Sequence, residues 1–234
     1  MRVLFQGKQK AVTFSYDDGV TQDIRLIDLL NKYGLKATFN LNSELLGQEN
    51  TLMREGVRLC HNKNQAADVR SIYEGHEVAA HTLTHPLLPS CTEEEIIRQV
   101  EQDRLNLSEL VGYEVVGMAY PCGGVNNDAR TAQVIRENTS IRYARTITST
   151  FSFEPQENLL QFNPTVYHVM EPEQLFALGE KFVNMEAQTP QVFYIWGHAY
   201  EFDIEDNWAK FEEFCQLISN RSDIFYGTNR EVLL

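Results

Sequence analysis

Carboxylate and imidazole side chains cluster where two predicted strands end. Asp17 and Asp18 close the first buried strand, and His81 and His85 follow a later one. Adjacent carboxylates repel each other, so one of them resists ionisation unless a cation lies beside them. Histidines four residues apart on a helical turn present both imidazoles on one side, which suits two ligands of one divalent metal. Two histidines and one carboxylate would leave an open position on zinc, as hydrolysis requires.

Each cluster also has a simpler structural interpretation. The first could be an ordinary turn with Asp at its start and Gly19 in the tight position. An HxxxH spacing often arises by chance. A third group, Trp196 and His198, ends a late strand, where a core-edge histidine beside an aromatic ring is an equal alternative. The remaining histidines have no partner in sequence, and we interpret them as structural: His61, His76 and His168.

The composition argues against several classes of partner. Of 234 residues, 33 are acidic and 20 basic, giving a net charge of −13. This balance disfavours nucleic acid or an anionic membrane as the main partner, because both select for basic surface. No segment approaches the roughly 20 apolar residues that span a bilayer, and Met1–Gly7 is too short for a secretory signal. The sequence predicts a cytoplasmic protein, with export after removal of a signal peptide as the alternative, and leaves its oligomeric state open.

Predicted strands and helices alternate along the chain. A first helix begins with Thr21 as N-cap and ends before Gly34, and Thr92 with Glu95 forms a capping box opening a helix to about Val111. Three further helices are predicted at Asp128–Glu137, Glu173–Met185 and Asn207–Ser219. The predicted strands are Ala11–Tyr16, Ala37–Leu41, Glu77–Ala80, Val115–Ala119, Ile141–Ala144, Thr165–Val169, Gln191–Trp196 and Asp223–Tyr226.

This alternation predicts an α/β fold with a parallel sheet, closed into a barrel or wound open. No linker or repeat divides the chain, so we expect a single domain over residues 1–234. In either architecture, reactive side chains gather just after the carboxyl ends of the strands.

Four short motifs, in order, resemble those of the NodB-type polysaccharide deacetylases, carbohydrate esterase family four. Tyr16–Gly19 (YDDG) is similar to the first motif and His81–His85 (HTLTH) to the second. Ala119–Gly123 (AYPCG) stands where the proline-centred third motif belongs, and His198 matches the late hydrophobic-x-His motif. The resemblance implies a distorted (β/α) barrel of about seven parallel strands.

The resemblance also implies an activity and assigns its residues. Family members remove N-acetyl groups from sugars, oligosaccharides or polysaccharides. Asp18, His81 and His85 would bind the metal, usually zinc. Asp17 would be the general base for the metal-bound water, and His198 the general acid that protonates the leaving amine.

Four residues are implied to contact the carbohydrate substrate. A backbone N–H in the turn of Tyr120, Pro121 and Cys122 would stabilise the oxyanion, and Cys122 is the expected donor. Trp196 is an aromatic residue that could stack on a sugar ring, although aromatic residues at strand ends are more often part of the core.

The third motif departs from the family pattern. The arginine that orients the base normally stands two residues before the proline, and that position is Ala119 here. Arg145, at the end of a neighbouring predicted strand, could reach Asp17 instead; a surface or structural arginine is the alternative. Cys122 replaces the usual tyrosine or phenylalanine. We find no counterpart of the fourth motif, an aspartate and a tryptophan on the pocket wall.

Two other functions remain open at this point. A hydrolase of the same superfamily could use the same residues on a non-sugar linear or cyclic amide. A non-catalytic carbohydrate-binding relative could keep the barrel, but it would be expected to lose the base or a metal ligand. This chain keeps all of them, so the leading prediction is a metal-dependent carbohydrate N-deacetylase.

Overall fold

The computed structural model describes residues 4–54, 56–169, 172–204 and 206–234, so Met1–Val3 of the N-terminal segment lie outside it. The strands in these ranges are Lys10–Asp17 (β1), Ala37–Leu41 (β2), Thr51–Arg54 (β3), Val57–Cys60 (β4), Glu77–Ala80 (β5), Gly117–Ala119 (β6), Tyr143–Arg145 (β7), Val166–Tyr167 (β8), Gln191–Gly197 (β9) and Ile224–Tyr226 (β10). The helices are Asp23–Lys32 (α1), Val69–Ile72 (α2), Glu93–Ile97 (α3), Asp103–Val111 (α4), Ala129–Asn138 (α5), Pro172–Asn184 (α6), Trp208–Ile218 (α7) and Asn229–Leu233 (α8).

Eight of these strands form one parallel sheet, in the order β7-β6-β5-β2-β1-β9-β8, with β10 also paired to β1. Phe162, which precedes β8, forms a parallel bridge to Arg145 of β7. This bridge connects the two edges, and the sheet curls into a distorted barrel. The predicted fold class is confirmed.

The central strand shows why the sequence forms this sheet. Every residue of β1 is buried, including the polar ones. A strand in a parallel sheet is covered on both faces, so its sequence is a nearly continuous apolar run rather than an alternating one. Helix α1 then buries Leu26, Ile27 and Leu30 at helical spacing. In the described ranges, no helix combines the length and apolarity needed to cross a membrane.

Two predicted helix caps are wrong in part. Helix α1 begins at Asp23 after Gln22, so Thr21 is not its N-cap. The hydroxyl of Thr92 does accept the Glu95 N–H at 3.3 Å. The Glu95 carboxylate, however, pairs with Arg98 instead of returning to Thr92, because an arginine three residues along a helix is within easy reach.

The antiparallel hairpin of β3 and β4 is absent from the sequence prediction. Its residues are mostly exposed and lack an alternating apolar pattern, which is the usual signal of a strand. Helix α8 was also not predicted. The hairpin matters for function because Leu52 and Arg54 line the cavity described below.

Candidate functional site

A cavity of about 510 Å³ opens where the carboxyl ends of β1, β5 and β9 meet. It is lined by most of the residues that the sequence singled out: Asp17, Asp18, His81, His85, Tyr120, Cys122, Trp196 and His198. Arg145 lies behind Asp17 rather than on the wall, and Pro121 is buried beside the cavity without lining it. Tertiary structure therefore brings the three sequence clusters together.

A tight turn after β1 separates the two adjacent carboxylates. Asp18 and Gly19 both have left-handed backbone conformations, with φ of 84° and 64°. A side chain at Gly19 would meet Leu41, because an added Cβ would lie 2.8 Å from its Cδ2 atom. Glycine supplies this conformation without a steric cost. The turn lets Asp17 and Asp18 contact different partners.

Asp18, His81 and His85 form a group able to hold a metal ion, with one ligand atom from each lying within 4.8 Å of the others. The expected helical turn is wrong, since residues 81–85 form an irregular loop with left-handed backbone at Thr82 and His85. Because residues in this conformation change the direction of the chain, the loop still brings the two imidazole rings together. Their centroids lie 4.9 Å apart.

The protonation states of this group fit a divalent cation. Burial lowers the pKa of His81 to about 4 and also lowers that of His85, so both rings are neutral at pH 7. Nδ1 of His81 lies 2.9 Å from the carbonyl oxygen of Ala119, a contact that places the proton on Nδ1 and leaves Nε2 as a ligand atom. Neutral imidazoles are the form that binds metal.

Asp18 is held by two residues that the sequence did not single out as partners. His61 Nε2 lies 3.1 Å from one carboxylate oxygen, and Lys63 Nζ lies 3.5 Å from the other. Burial alone would raise the pKa of Asp18, but the His61 hydrogen bond and the Lys63 charge hold it well below its usual value. His61, interpreted from the sequence as structural, thus lies in the cavity and contacts Asp18. His76 accepts the Ala37 N–H at 3.1 Å, which agrees with a structural role.

Arg145 contacts Asp17 directly. Its Nη2 atom donates to both carboxylate oxygens, at 2.6 and 2.5 Å, and Asn40 Nδ2 donates to Oδ1 at 2.8 Å. The guanidinium also donates to Ser15 and Thr146 and lies over a tryptophan ring. Arg145 is fully buried, so it is not a surface residue. Arg145 therefore contacts the carboxylate that the missing motif arginine is expected to orient.

His198 is paired with Glu201, three residues along the chain. Nδ1 of His198 lies 3.2 Å from Oε1 of Glu201, whose carboxylate also contacts His168 at 3.0 Å and accepts from the Tyr167 hydroxyl. Burial alone would lower the pKa of His198, but the Glu201 charge, with those of the two active-site aspartates, raises it to about 9. The pKa of Glu201 is lowered, because the attraction of the two histidines outweighs its burial. His168 is thus part of this network.

The predicted substrate-binding residues have mixed surroundings. Tyr120 is buried and its hydroxyl donates to the Leu160 carbonyl at 2.8 Å. Cys122 has a φ of 69°, and its N–H lies 3.5 Å from Nε2 of His85, beside the metal-ligand group. Trp196 is 5% exposed and stacks on Tyr167 with a centroid distance of 4.3 Å. Substrate contact by these residues stays a prediction.

The missed residues carried weak sequence signals. His61 and Lys63 lie in the polar run HNKN that follows β4, and Glu201 is three residues beyond His198. A histidine followed by a glutamate at this spacing indicates a pair only once a helical turn is known. Here a short 3₁₀ turn over Ala199–Asp203 supplies it.

The fold and the site define a class of protein: a barrel with a carboxylate–dihistidine group, an aspartate–arginine pair and a histidine–glutamate pair at its carboxyl edge. A family model described as polysaccharide deacetylase matches residues 6–138, more than half of the chain. The chain belongs to the polysaccharide deacetylase family. The matched region contains the first three motifs and ends before Arg145 and His198.

Individual relatives agree with this membership. The chain is 28% identical over 126 residues to the peptidoglycan-N-acetylmuramic acid deacetylase PdaC of Bacillus subtilis, covering 53% of this chain and 24% of PdaC. It is 25% identical over 119 residues to the peptidoglycan-N-acetylglucosamine deacetylase PgdA of Listeria monocytogenes, covering 50% and 22%. The chain thus matches about a quarter of the length of these relatives. The solved structure of B. subtilis PdaC shares the fold, with a TM-score of 0.56 at 18% identity over 96% of this chain and 90% of that one.

Proposed function

We propose that this chain is a metal-dependent hydrolase that removes N-acetyl groups from an N-acetylated carbohydrate. The observation that carries the proposal is the grouping of Asp18, His81 and His85 in one cavity with Asp17 and His198. Membership in the polysaccharide deacetylase family supports the reaction type. PdaC and PgdA are named for N-acetylated sugars of peptidoglycan, which supports an amino sugar as the substrate.

The ligand group would hold a divalent cation, and we propose zinc. Bound there, the cation would supply Lewis-acid polarisation of the amide oxygen and lower the pKa of water. The carbonyl contact that fixes the His81 ring and the His61 and Lys63 contacts that fix Asp18 hold the ligands in place. Such outer contacts tune metal sites.

The chain's own residues divide the proton transfers between them. Asp17 accepts a proton from the attacking water, and Arg145 and Asn40 hold its carboxylate in place by hydrogen bonds. His198 is protonated at neutral pH and donates to the amine as the carbon–nitrogen bond breaks. The Cys122 N–H donates to the oxyanion. One water and one amide become acetate and a free amine, and the proton gained by Asp17 balances the one lost by His198.

The proposed function is tested by acetate release. Zinc-loaded protein is incubated with N-acetylglucosamine oligomers, peptidoglycan fragments, N-acetylated amino acids and a cyclic amide. We expect acetate from the sugar substrates, loss of activity with a chelator and recovery when zinc is added back. Turnover of the non-sugar amides alone would support the alternative hydrolase. No turnover by protein that binds zinc would support the non-catalytic relative.

The substitution Arg145→Ala is expected to lower kcat by about 100-fold, the lower end of the contribution of a positioned base. It leaves the buried Asp17 carboxylate without its charge partner, which also costs about 3–5 kcal/mol of folding stability. Steady-state kinetics and urea unfolding measure the two effects. Arg142→Ala, an exposed arginine just before β7, is the matched control. Unchanged turnover in Arg145→Ala would remove Arg145 from the mechanism.

A further inference from the structure

We propose that Gln99 and Asp103 are positioning residues for the metal ligands, presented by the π-helical segment between α3 and α4 and by the first residue of α4. The inference rests on the metal site of the proposed function. Neither residue belongs to the ligand group or lines the cavity. Both are buried, with 2% and 0% of their surface exposed.

The loop that carries His81 and His85 needs external support. Thr82 and His85 have φ values of 70° and 63°, in the left-handed region that glycine favours. Neither is glycine, and a threonine there is strained by its branched side chain. Such conformations persist only where the surroundings over-determine them. The question is therefore which groups hold the backbone of residues 81–85.

Asp103 holds the first part of this loop. Its Oδ2 atom accepts the His81 N–H at 3.0 Å, and the Thr82 N–H also hydrogen-bonds to its carboxylate. Oδ1 accepts the Ser43 N–H at 2.7 Å. One buried carboxylate thereby joins the segment after β2 to the loop after β5. A buried polar group with all its partners made specifies one local arrangement.

Gln99 holds the second part with both its backbone and its side chain. Its backbone oxygen accepts the Leu83 N–H at 3.0 Å. Its Oε1 atom accepts the Thr84 N–H at 3.1 Å, and its Nε2 atom donates to the Thr84 hydroxyl at 2.8 Å. The last N–H of the loop, that of His85, donates to the Thr82 hydroxyl at 3.1 Å. Gln99 and Asp103 thus accept from four of the five N–H groups in the loop, and Asp103 shares that of His81 with the Leu41 carbonyl, which accepts it at 2.8 Å.

The π-helical segment Arg98–Gln102 is what makes this support available. In an α-helix, the Gln99 carbonyl would accept the N–H of Asp103. Here the Asp103 N–H donates to Val100 instead, which leaves the Gln99 oxygen for Leu83. A π-bulge inside an α-helix is rare and is frequently found at a functional site. The wider turn presents a carbonyl, an amide and a carboxylate to one loop.

The consequence is that metal affinity depends on residues that do not touch the metal. Gln99→Met keeps the length of the side chain and removes its contacts to Thr84. Asp103→Asn replaces one acceptor oxygen by a donor that faces an N–H group. Each variant frees the loop to leave the strained conformation, so the ligands lose their preorganisation. Outer contacts of this kind change metal affinity by about 10- to 100-fold.

The test measures zinc affinity of metal-stripped protein by competition with a chromophoric chelator. We expect both variants to bind zinc about 10- to 100-fold more weakly and to change the visible absorption of the Co²⁺-substituted protein. Gln133→Met, an exposed glutamine on α5 that pairs with Glu137, is the matched control and should change neither. Thermal unfolding of the metal-free proteins shows whether each variant folds.

A lower unfolding temperature with unchanged zinc affinity and Co²⁺ spectrum would overturn the proposal, because the two residues would then be purely structural. Absence of zinc binding by the wild-type protein would also overturn it. The acetate assay is independent of this result: weaker zinc binding in the variants would uphold the positioning role even if the wild-type protein released no acetate.

Discussion

Asp17→Asn is expected to retain zinc binding and to lower kcat by about 100- to 10,000-fold, the range attributed to a positioned general base. Asparagine has nearly the same shape as aspartate and fits beside Arg145 and Asn40, but it loses the charge pairing with Arg145, so a lower folding stability is expected as well. It cannot accept a proton from water. Asp17 is outside the ligand group of Asp18, His81 and His85, so the metal affinity should change little.

The measurement pairs steady-state acetate release with zinc titration of the same preparation. Asp28→Asn, an exposed aspartate on α1, is the control for the chemical change and should match the wild type in both assays. Retained turnover in Asp17→Asn would refute the assignment of the base. Lost zinc affinity would instead indicate that Asp17 is a metal ligand. This outcome is worth testing because Oδ2 of Asp17 lies 4.0 Å from Nε2 of His81.

His81→Ala is expected to abolish tight one-to-one zinc binding and to reduce turnover to background. His81 is buried, and its Nδ1 contact to Ala119 holds the ring so that Nε2 faces the other ligands. Alanine removes one of the three ligand side chains and leaves only Asp18 and His85 of the group. The metal-stripped proteins are titrated with zinc, and acetate release is then measured at saturating zinc.

His76→Gln is the control for His81→Ala, because His76 and His81 flank opposite ends of β5. Glutamine keeps an acceptor for the Ala37 N–H, so this variant should fold, bind zinc and turn over substrate. Equal zinc affinity in wild type and His81→Ala would remove His81 from the ligand set. A wild-type protein that binds no zinc would contradict the zinc-dependent hydrolase in both its sugar and non-sugar forms.

The parallel sheet was predictable because local signals in the chain agree with the tertiary structure. The strands of the sheet are largely apolar runs, and Ala37–Leu41 and Glu77–Ala80 have the predicted bounds. Strands in a parallel sheet share one direction, so residues that follow them meet at one edge. The β3–β4 hairpin could not be found this way, since each strand has four residues, most of them exposed, and Leu59 is its one buried side chain in the core.

The contact between Arg145 and Asp17 shows the limit of motif reasoning. The two residues are 128 positions apart, and their strands are separated in the sheet by β6, β5 and β2. The sequence could name Arg145 as a candidate, but only the curling of the sheet brings its guanidinium to the carboxylate. His61, Glu201 and Gln99 are similar cases, because each acts on a motif residue through a loop or helix whose path no local pattern specifies.

By itself, the sequence indicated the family and the residues that we propose carry its chemistry. YDDG, HTLTH and the later histidine each follow a predicted strand, and the end of a strand can be recognised from the residues next to it. Only the tertiary structure decided how those residues are held: Asp17 by Arg145, Asp18 by His61 and Lys63, and the His81–His85 loop by a π-helical segment. The physical reason is that such contacts depend on barrel closure and on hydrogen-bond directions, and neither leaves a periodic pattern in the chain.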